Sequence, residues 1–276
     1  MKLELQDLSV VYRPRQSTPR HSEVRAVDHC SFSVSKGNIV GLVGESGSGK
    51  SSALMAIPRL LPFGTKVSGQ ILCDGEDLLA LEEGAMNAWR WRRIALVPQG
   101  AMNSFTPHLT IGRHISEVLE CHMNLSRREA NERSLELLQM TGLEGSFLSR
   151  YPHELSGGQK QRAAMAAALA CNPDFLLADE PTTALDVITQ KEILDMIAQL
   201  VQERGMGLLL VTHDLPLAAV ICDTLVVMKD GQVIEKGLAR SLTQDPQQPY
   251  TRQLIQAIRS INEAGAGTGA DAGGVL

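Results

Sequence analysis

Residues 44–51 read Gly-Glu-Ser-Gly-Ser-Gly-Lys-Ser, and this stretch satisfies the pattern G-x-x-x-x-G-K-[ST] in full. The continuous apolar run NIVGLVG (38–44) precedes it, and ALMAIPRLL (53–61), a plausible helix start, follows it. A strand, a glycine-rich loop and a helix in that order are the context in which this pattern binds phosphate. The alternative is a glycine-rich turn with an incidental lysine, and the flanking strand and helix disfavour it.

The residues of this loop predict a site for a nucleoside triphosphate with Mg²⁺. The three glycines let the backbone wrap the β-phosphate, and the following helix directs its positive end at it. Lys50 supplies a positive charge to the β- and γ-phosphates, and the Ser51 hydroxyl is a ligand for Mg²⁺. The predicted nucleotide-contacting residues here are Gly44, Glu45, Ser46, Gly47, Ser48, Gly49, Lys50, Ser51 and Ser52.

A second candidate element is FLLADE (175–180), an apolar strand that ends in two acids. Asp179 at the carboxyl end of the strand is placed to hold Mg²⁺, through water. Glu180 next to it would be the general base that polarises the attacking water. Acidic pairs after a strand also favour the first turn of a helix, but beside a phosphate loop the catalytic interpretation is preferred.

A second glycine-rich stretch, ELSGGQKQR (154–162), has no strand in front of it. The main-chain N–H groups of Gly157 and Gly158 are free to approach an anion because glycine has no side chain to block them. The simpler interpretation is that Ser156 caps a helix and the glycines form a turn. One chain would therefore carry two anion cradles, and the LSGGQ core (155–159) of the second contains no lysine.

Composition restricts the class of protein. Of 276 residues, 43% are hydrophobic, 21% are charged and only 4% are aromatic, and the net charge is −5. Few aromatic residues and a negative charge argue against a broad nucleic-acid-binding face. The five cysteines are spread singly, which predicts reduced, mostly buried thiols in a cytosolic protein. We expect neither a signal peptide nor a membrane span, so any membrane role would come through partners.

Short apolar runs alternate with helical patterns, which predicts an α/β fold with a largely parallel sheet. Between Pro98 and Asp174 the patterns are helical, and we expect a helical subdomain at about 101–162. Residues 13–25 have the composition of an exposed basic loop. The predicted organisation is one nucleotide-binding domain at 1–245, a helical extension at 246–260 and a flexible tail at 261–276.

Six motifs in order then carry a family resemblance: GESGSGKS, Gln99, LSGGQ, LLADE, Ala184-Leu185-Asp186 and His213. This set resembles the nucleotide-binding subunit of ATP-binding cassette (ABC) transporters over roughly residues 1–260. LSGGQ discriminates this family from other nucleoside triphosphatases. The resemblance implies a P-loop NTPase core with a mainly parallel sheet, an N-terminal antiparallel β subdomain and an inserted helical subdomain.

The resemblance also implies a dimer in which two cassettes, identical or paralogous, pack head to tail. Each LSGGQ segment would contact the γ-phosphate of the ATP held by its partner, and Ser156, Gly157, Gly158 and Gln159 would be the contacting residues. Gln99 would contact Mg²⁺ and the attacking water, and His213 would bond the γ-phosphate. The Asp186 side chain would reach across the dimer interface and link the two nucleotide sites. Tyr12 would stack on adenine, although a half-buried strand tyrosine is the alternative.

Two stretches resemble the oligopeptide, dipeptide and nickel importer branch: PQGAMNSFTP (98–107) and QPYTRQL (248–254). Many peptide importers carry a C-terminal cysteine cluster, whereas this sequence has no cysteine after Cys222. This weakens peptides as the expected cargo relative to nickel or another metal chelate, and both stay open. The implied partners are a second cassette, two membrane permease subunits and, indirectly, an extracytoplasmic substrate-binding protein. The implied location is the cytoplasmic face of the inner membrane.

Two other classes remain as alternatives. A soluble cassette ATPase that acts on nucleic acid or ribosomes usually has two cassettes in one chain and basic extensions, whereas this chain has one cassette and a negative net charge. A non-hydrolysing interaction module would lack Lys50, Glu180 or His213, and all three are present.

Overall fold

The structure is a computed structural model that describes residues 1–13 and 23–256. Most of the predicted basic loop and the whole predicted tail at 261–276 therefore lie outside the described residues. Two sheets organise the chain, one antiparallel and one mainly parallel. The α/β fold with these two sheets is confirmed.

The antiparallel sheet has the strand order β2-β1-β4-β5. Its strands are β1 (Lys2–Tyr12), β2 (Val24–Ser35), β4 (Lys66–Cys73) and β5 (Glu76–Asp77). The inward residues of β1, among them Leu3, Leu5 and Leu8, are fully or almost fully buried. An apolar face of this kind needs a second layer to cover it, and the parallel sheet together with helix α1 (Lys50–Ala56) supplies that layer.

The larger sheet has the order β10-β9-β3-β8-β7-β6, and only the β9–β10 pair in it is antiparallel. Its strands are β3 (Ile39–Val43), β6 (Ile94–Val97), β7 (Phe175–Asp179), β8 (Gly207–Thr212), β9 (Thr224–Lys229) and β10 (Gln232–Leu238). Every residue of β3, β7 and β8 is buried, because layers cover both faces. Such strands have continuous apolar sequences.

Helices follow the strands or fill the stretch between β6 and β7. They are α1 (Lys50–Ala56), α2 (Glu83–Trp89), α3 (Ile111–Met123), α4 (Arg127–Met140), α5 (Gly157–Ala168), α6 (Val187–Arg204), α7 (Leu215–Ile221) and α8 (Ala239–Gln244). Residues 249–256 are also helical. From 98 to 174, a stretch described throughout, the regular elements are helices. The domain boundaries themselves stay predictions.

Side-chain caps explain where the functional helices begin. Ser126 begins α4 with a capping box to Glu129, and Ser156 begins α5 with a capping box to Gln159. Asp186 begins α6 and accepts a hydrogen bond from the N–H of Thr189 at 3.0 Å. Each cap satisfies N–H groups that have no partner within the helix. The start of α5 is thus determined by its own sequence.

Within the described part of the chain, we find no helix with both the length and the apolar character needed to cross a membrane. All five cysteines are free, and four of them are buried. Burial raises the pKa of Cys30 and of Cys222 to about 12 each, as expected for packed thiols.

Candidate active site for nucleotide hydrolysis

The phosphate loop connects β3 to α1, and two of its glycines are required by close packing. A side chain on Gly44 (φ 151°) would meet the Met228 carbonyl oxygen at 2.2 Å, and one on Gly49 (φ 98°) would meet the Ala26 carbonyl oxygen at 2.1 Å. At Gly47 (φ 81°) a Cβ would meet nothing within 4 Å, so there the backbone conformation alone favours glycine. The open side of the loop leaves room for a ligand.

Lys50 is only 5% exposed and holds the loop from inside. Its Nζ donates hydrogen bonds to the carbonyl oxygens of Gly44 (2.9 Å) and Glu45 (2.7 Å). Burial lowers the pKa of Lys50, and the nearby Glu180 and Asp179 carboxylates oppose that shift. A buried ammonium in a glycine-rich loop fits the charge of a nucleotide phosphate.

Ser51 and Asp179 meet although 128 residues separate them. The Ser51 hydroxyl donates to Oδ1 of Asp179 at 3.0 Å, and Asp179 is 4% exposed. Burial raises the pKa of Asp179, while the hydrogen bond from Ser51 opposes the shift. A buried carboxylate and a hydroxyl are oxygen donors of the kind that Mg²⁺ prefers. This donor set therefore fits a magnesium ion bound to a nucleotide.

Around Glu180 the structure gathers the remaining predicted catalytic residues. Gln99, which follows β6, donates from Nε2 to Glu180 Oε2 at 3.2 Å. His213, which follows β8, places Nδ1 3.2 Å from Glu180 Oε1. Thr183 donates from Oγ1 to Oε2 at 2.9 Å. Both carboxylate oxygens of Glu180 are thus held in place.

The backbone of Glu180 is unusual as well. Its φ is 45°, in the left-handed region, and its N–H donates to the Val211 carbonyl at 2.9 Å. Non-glycine residues adopt this conformation at a cost of about 1–3 kcal/mol and cluster at functional sites. Sequence analysis missed Thr183; the only available signal was a hydroxyl residue three positions after the acid.

Tyr12 is the last residue of β1 and lies beside the first turn of α1. Its hydroxyl donates to the Ser52 Oγ at 3.0 Å. The tyrosine ring therefore borders the phosphate loop, and a base attached to a nucleotide in that loop could reach it. Adenine stacking stays a prediction.

The LSGGQ segment forms a separate site. The Ser156 hydroxyl accepts a hydrogen bond from the Gln159 N–H at 3.3 Å, so the serine is a helix cap. Ser156, Gly157 and Gly158, together with Asp186 from the start of α6, line an open cavity of about 370 Å³. Among the described residues, no hydrogen bond or ion pair joins this segment to the phosphate loop. The two cradles are distinct surfaces of one chain.

A groove between β6 and helices α3 and α5 provides a third surface, with a cavity volume of about 610 Å³. Its lining is mostly apolar and includes Trp91, Phe105, Val118, Ala164 and Ala167. Gln99 lies next to it in sequence, because Pro98 and Ala101 also line the groove. The groove therefore adjoins the segment that carries a catalytic candidate.

Known proteins are similar to this chain in sequence and in fold. The family model described as ABC transporter matches residues 27–183. A peptidoglycan transport ATP-binding protein of Agrobacterium fabrum is 44% identical over 92% of this chain, which spans 46% of that relative's length. A putative peptide import ATP-binding protein of Brucella abortus is 43% identical, and the match covers 95% of this chain and 79% of that relative's length.

Among solved structures, a dimeric post-hydrolysis state of the ATP-binding cassette MJ0796 bound to ADP and Pi has a TM-score of 0.75 with this chain. It is 31% identical, and the match covers 86% of this chain and 99% of that one. The similarity thus extends over most of the chain in both sequence and fold. The chain therefore belongs to the ABC transporter family and carries its ATP-binding, ATP-hydrolysing cassette.

Proposed function

We propose that the chain powers a membrane importer of peptides by ATP hydrolysis at the site around Lys50 and Glu180. The observation that carries this proposal is the convergence of Gln99, Thr183 and His213 on the Glu180 carboxylate. Four separate segments supply these groups and the lysine. A fold that required only stability would not need to hold one carboxylate at three points.

In this mechanism Glu180 accepts the proton of the water that attacks the γ-phosphate. Gln99 and Thr183 fix Oε2, and Oε1, which lies 3.2 Å from His213 Nδ1, faces the water once that histidine turns to the nucleotide. Lys50 binds the β- and γ-phosphates as a point charge. His213, whose side chain is 63% exposed, would exchange its contact with Glu180 for one with the γ-phosphate. Tyr12 borders the position of the base.

Ser51, Asp179 and Gln99 would hold Mg²⁺. When bound, the ion neutralises charge that develops on the phosphate oxygens. No cluster of three or more His, Cys, Asp or Glu side chains suited to a metal occurs in residues 1–13 and 23–256. Nucleotide-bound Mg²⁺ uses one or two carboxylates together with substrate phosphates, so Asp179 with Ser51 is sufficient.

The first test is Lys50→Ala. Removal of the ammonium deletes a charge-assisted hydrogen bond worth about 1.5–3 kcal/mol, so we expect the Kd for ATP, measured by calorimetry, to rise about 10- to 150-fold. Lys36→Ala is the matched control, because Lys36 pairs with Asp174 at the opposite end of β3. An unchanged Kd for Lys50→Ala would exclude this loop as the nucleotide site.

The LSGGQ surface supports a head-to-tail dimer. Ser156 and the N–H groups of Gly157 and Gly158 would contact the γ-phosphate held by a second cassette, a copy of this chain or a paralogue. Gln159 fixes the Ser156 cap, and Asp186 lies at the same surface. Such a dimer closes when both nucleotides are bound and opens after hydrolysis.

The apolar groove supports docking of the membrane subunits. We expect a short helix of one permease subunit to occupy the groove of each cassette in the dimer, so that two permease subunits are bound and the cassettes lie at the cytoplasmic face of the membrane. An apolar groove suits an amphipathic helix, and its contact with the Gln99 segment would link the permease to the catalytic site.

Val118→Asp tests this assignment, because a carboxylate buried by a docked helix loses its hydration. We expect at least a tenfold loss of cassette that copurifies with the membrane subunits, with unchanged affinity for ATP. Leu238→Asp, at a 65% exposed position outside the groove, is the control. Equal loss in both variants would contradict docking at the groove.

Peptides are the cargo class that the comparisons favour. The two relatives above are named for peptidoglycan and peptide transport, which supports the peptide alternative over nickel or another metal chelate. Cargo is bound by the membrane subunits and the extracytoplasmic binding protein. A binding assay of that protein with peptides and with nickel is therefore the test of cargo.

A further inference from the structure

The segment after α8 folds back onto the parallel sheet. Both oxygens of Glu235 in β10 hold it, because Oε1 accepts the Gln247 N–H at 2.8 Å and Oε2 accepts the Gln248 N–H at 3.1 Å. The helical residues 249–256 follow directly. Their first turn contains Tyr250, which is 9% exposed. A carboxylate on the preceding N–H groups stabilises the start of a helix.

The Tyr250 hydroxyl reaches the phosphate loop. Its oxygen accepts a hydrogen bond from the Glu45 N–H at 3.3 Å, across 205 residues of sequence. The Lys229 ammonium lies 4.7 Å from the centre of the Tyr250 ring. Burial raises the pKa of Tyr250, so the phenol stays protonated at neutral pH. The Lys229 cation contacts the face of the Tyr250 ring, and the hydrogen bond from Glu45 holds its hydroxyl, so the side chain is fixed at two points.

The peptide group that Tyr250 contacts also binds Lys50. The N–H of Glu45 and the C=O of Gly44 belong to one planar peptide unit. That C=O accepts the Lys50 Nζ at 2.9 Å. A hydrogen bond at one end of a peptide polarises the group and strengthens the bond at the other end. Tyr250 and Lys50 therefore interact through a single rigid unit.

We propose that Tyr250 is a positioning residue for the phosphate loop: its hydroxyl fixes the Gly44–Glu45 peptide and thereby places the Lys50 ammonium for the nucleotide phosphates. The inference rests on the proposed nucleotide site. It gives the C-terminal segment a role in ATP affinity in addition to packing. By linkage, a bound nucleotide stabilises the docked segment by the same free energy.

Tyr250→Phe separates the hydroxyl from the ring, which keeps its contact with Lys229. Loss of one neutral hydrogen bond corresponds to about a two- to tenfold change in an equilibrium constant such as the Kd. We expect the Kd for TNP-ATP, a fluorescent nucleotide, and the KM for ATP to rise by this factor, with kcat changed less than twofold. Tyr151→Phe is the control, since Tyr151 is 40% exposed and stacks on His153.

The double variant Lys50→Ala/Tyr250→Phe tests the route of the effect. If Tyr250 acts through Lys50, loss of the hydroxyl changes the Kd of the Lys50→Ala protein less than twofold. An additive effect, or a Kd for Tyr250→Phe equal to that of the parent, would overturn the positioning role while the nucleotide site stands. If Lys50→Ala itself leaves the Kd unchanged, the nucleotide site is wrong instead.

Discussion

Glu180→Gln is expected to bind ATP normally and to hydrolyse it about 10²- to 10⁴-fold more slowly. The amide has the shape of the carboxylate and can still accept hydrogen bonds from Gln99 and Thr183, which approach Oε2 at 3.2 and 2.9 Å. It cannot take a proton from water. The Kd for ATP should therefore stay unchanged while the rate of hydrolysis falls, because only the chemical step needs a base.

The measurement is release of phosphate under single-turnover conditions, together with calorimetry for the Kd of ATP. Glu203→Gln makes the same chemical change at the end of α6, where the acid contacts Gln199, and should behave as the parent protein. Turnover of Glu180→Gln within about threefold of the parent would mean that another group, such as His213, accepts the proton.

The phosphate loop could be predicted from sequence because its requirements are local. Strand, glycines, lysine and helix lie within residues 38–61, and the observed β3 and α1 lie in that window. The α/β fold class and the N-terminal antiparallel sheet followed from the same local patterns and the family resemblance. Buried strands such as β7 have unmistakable apolar runs.

Strand β4 was missed, and the reason is its composition. Lys66, Ser68 and Gln70 are exposed, and only Ile71 and Cys73 are buried. Its position is determined by pairing with β1, whose residues are 55 to 70 positions away in sequence, and Gly69 allows the backbone to approach Asp7. Register of this kind depends on tertiary contacts that a local pattern does not contain.

The contact of Tyr250 with Glu45 was beyond sequence analysis for a similar reason. The Pro-Tyr-Thr stretch was noticed as a resemblance, yet nothing local links it to a loop 205 residues earlier. The structure supplies this link by placing β9 next to β3 and β10 on the other side of β9. Elements distant in sequence thus meet at the carboxyl edge of the sheet, where ligands bind in α/β folds.

The LSGGQ segment lies apart from the phosphate loop of its own chain. We therefore expect the second large effect, a loss of ATP-driven dimerisation, for Ser156→Asp. Aspartate caps helices as well as serine does, so α5 should begin at the same residue. In a head-to-tail dimer, however, the new carboxylate would face the γ-phosphate. Two like charges at about 4 Å cost about 4 kcal/mol at an effective dielectric constant of 20, and each dimer contains two such sites.

The ATP-driven dimer of a Ser156→Asp chain should therefore weaken by more than about 10⁴-fold, while the monomer keeps its affinity for ATP. Ser156→Asn is the matched control, because asparagine has the same shape and caps equally well without a charge. Both changes are best made in the Glu180→Gln background, where ATP persists, with light scattering to measure mass. A stable ATP-dependent dimer of the aspartate variant would show that residues 155–159 do not face a partner's nucleotide, and the composite site would have to be abandoned.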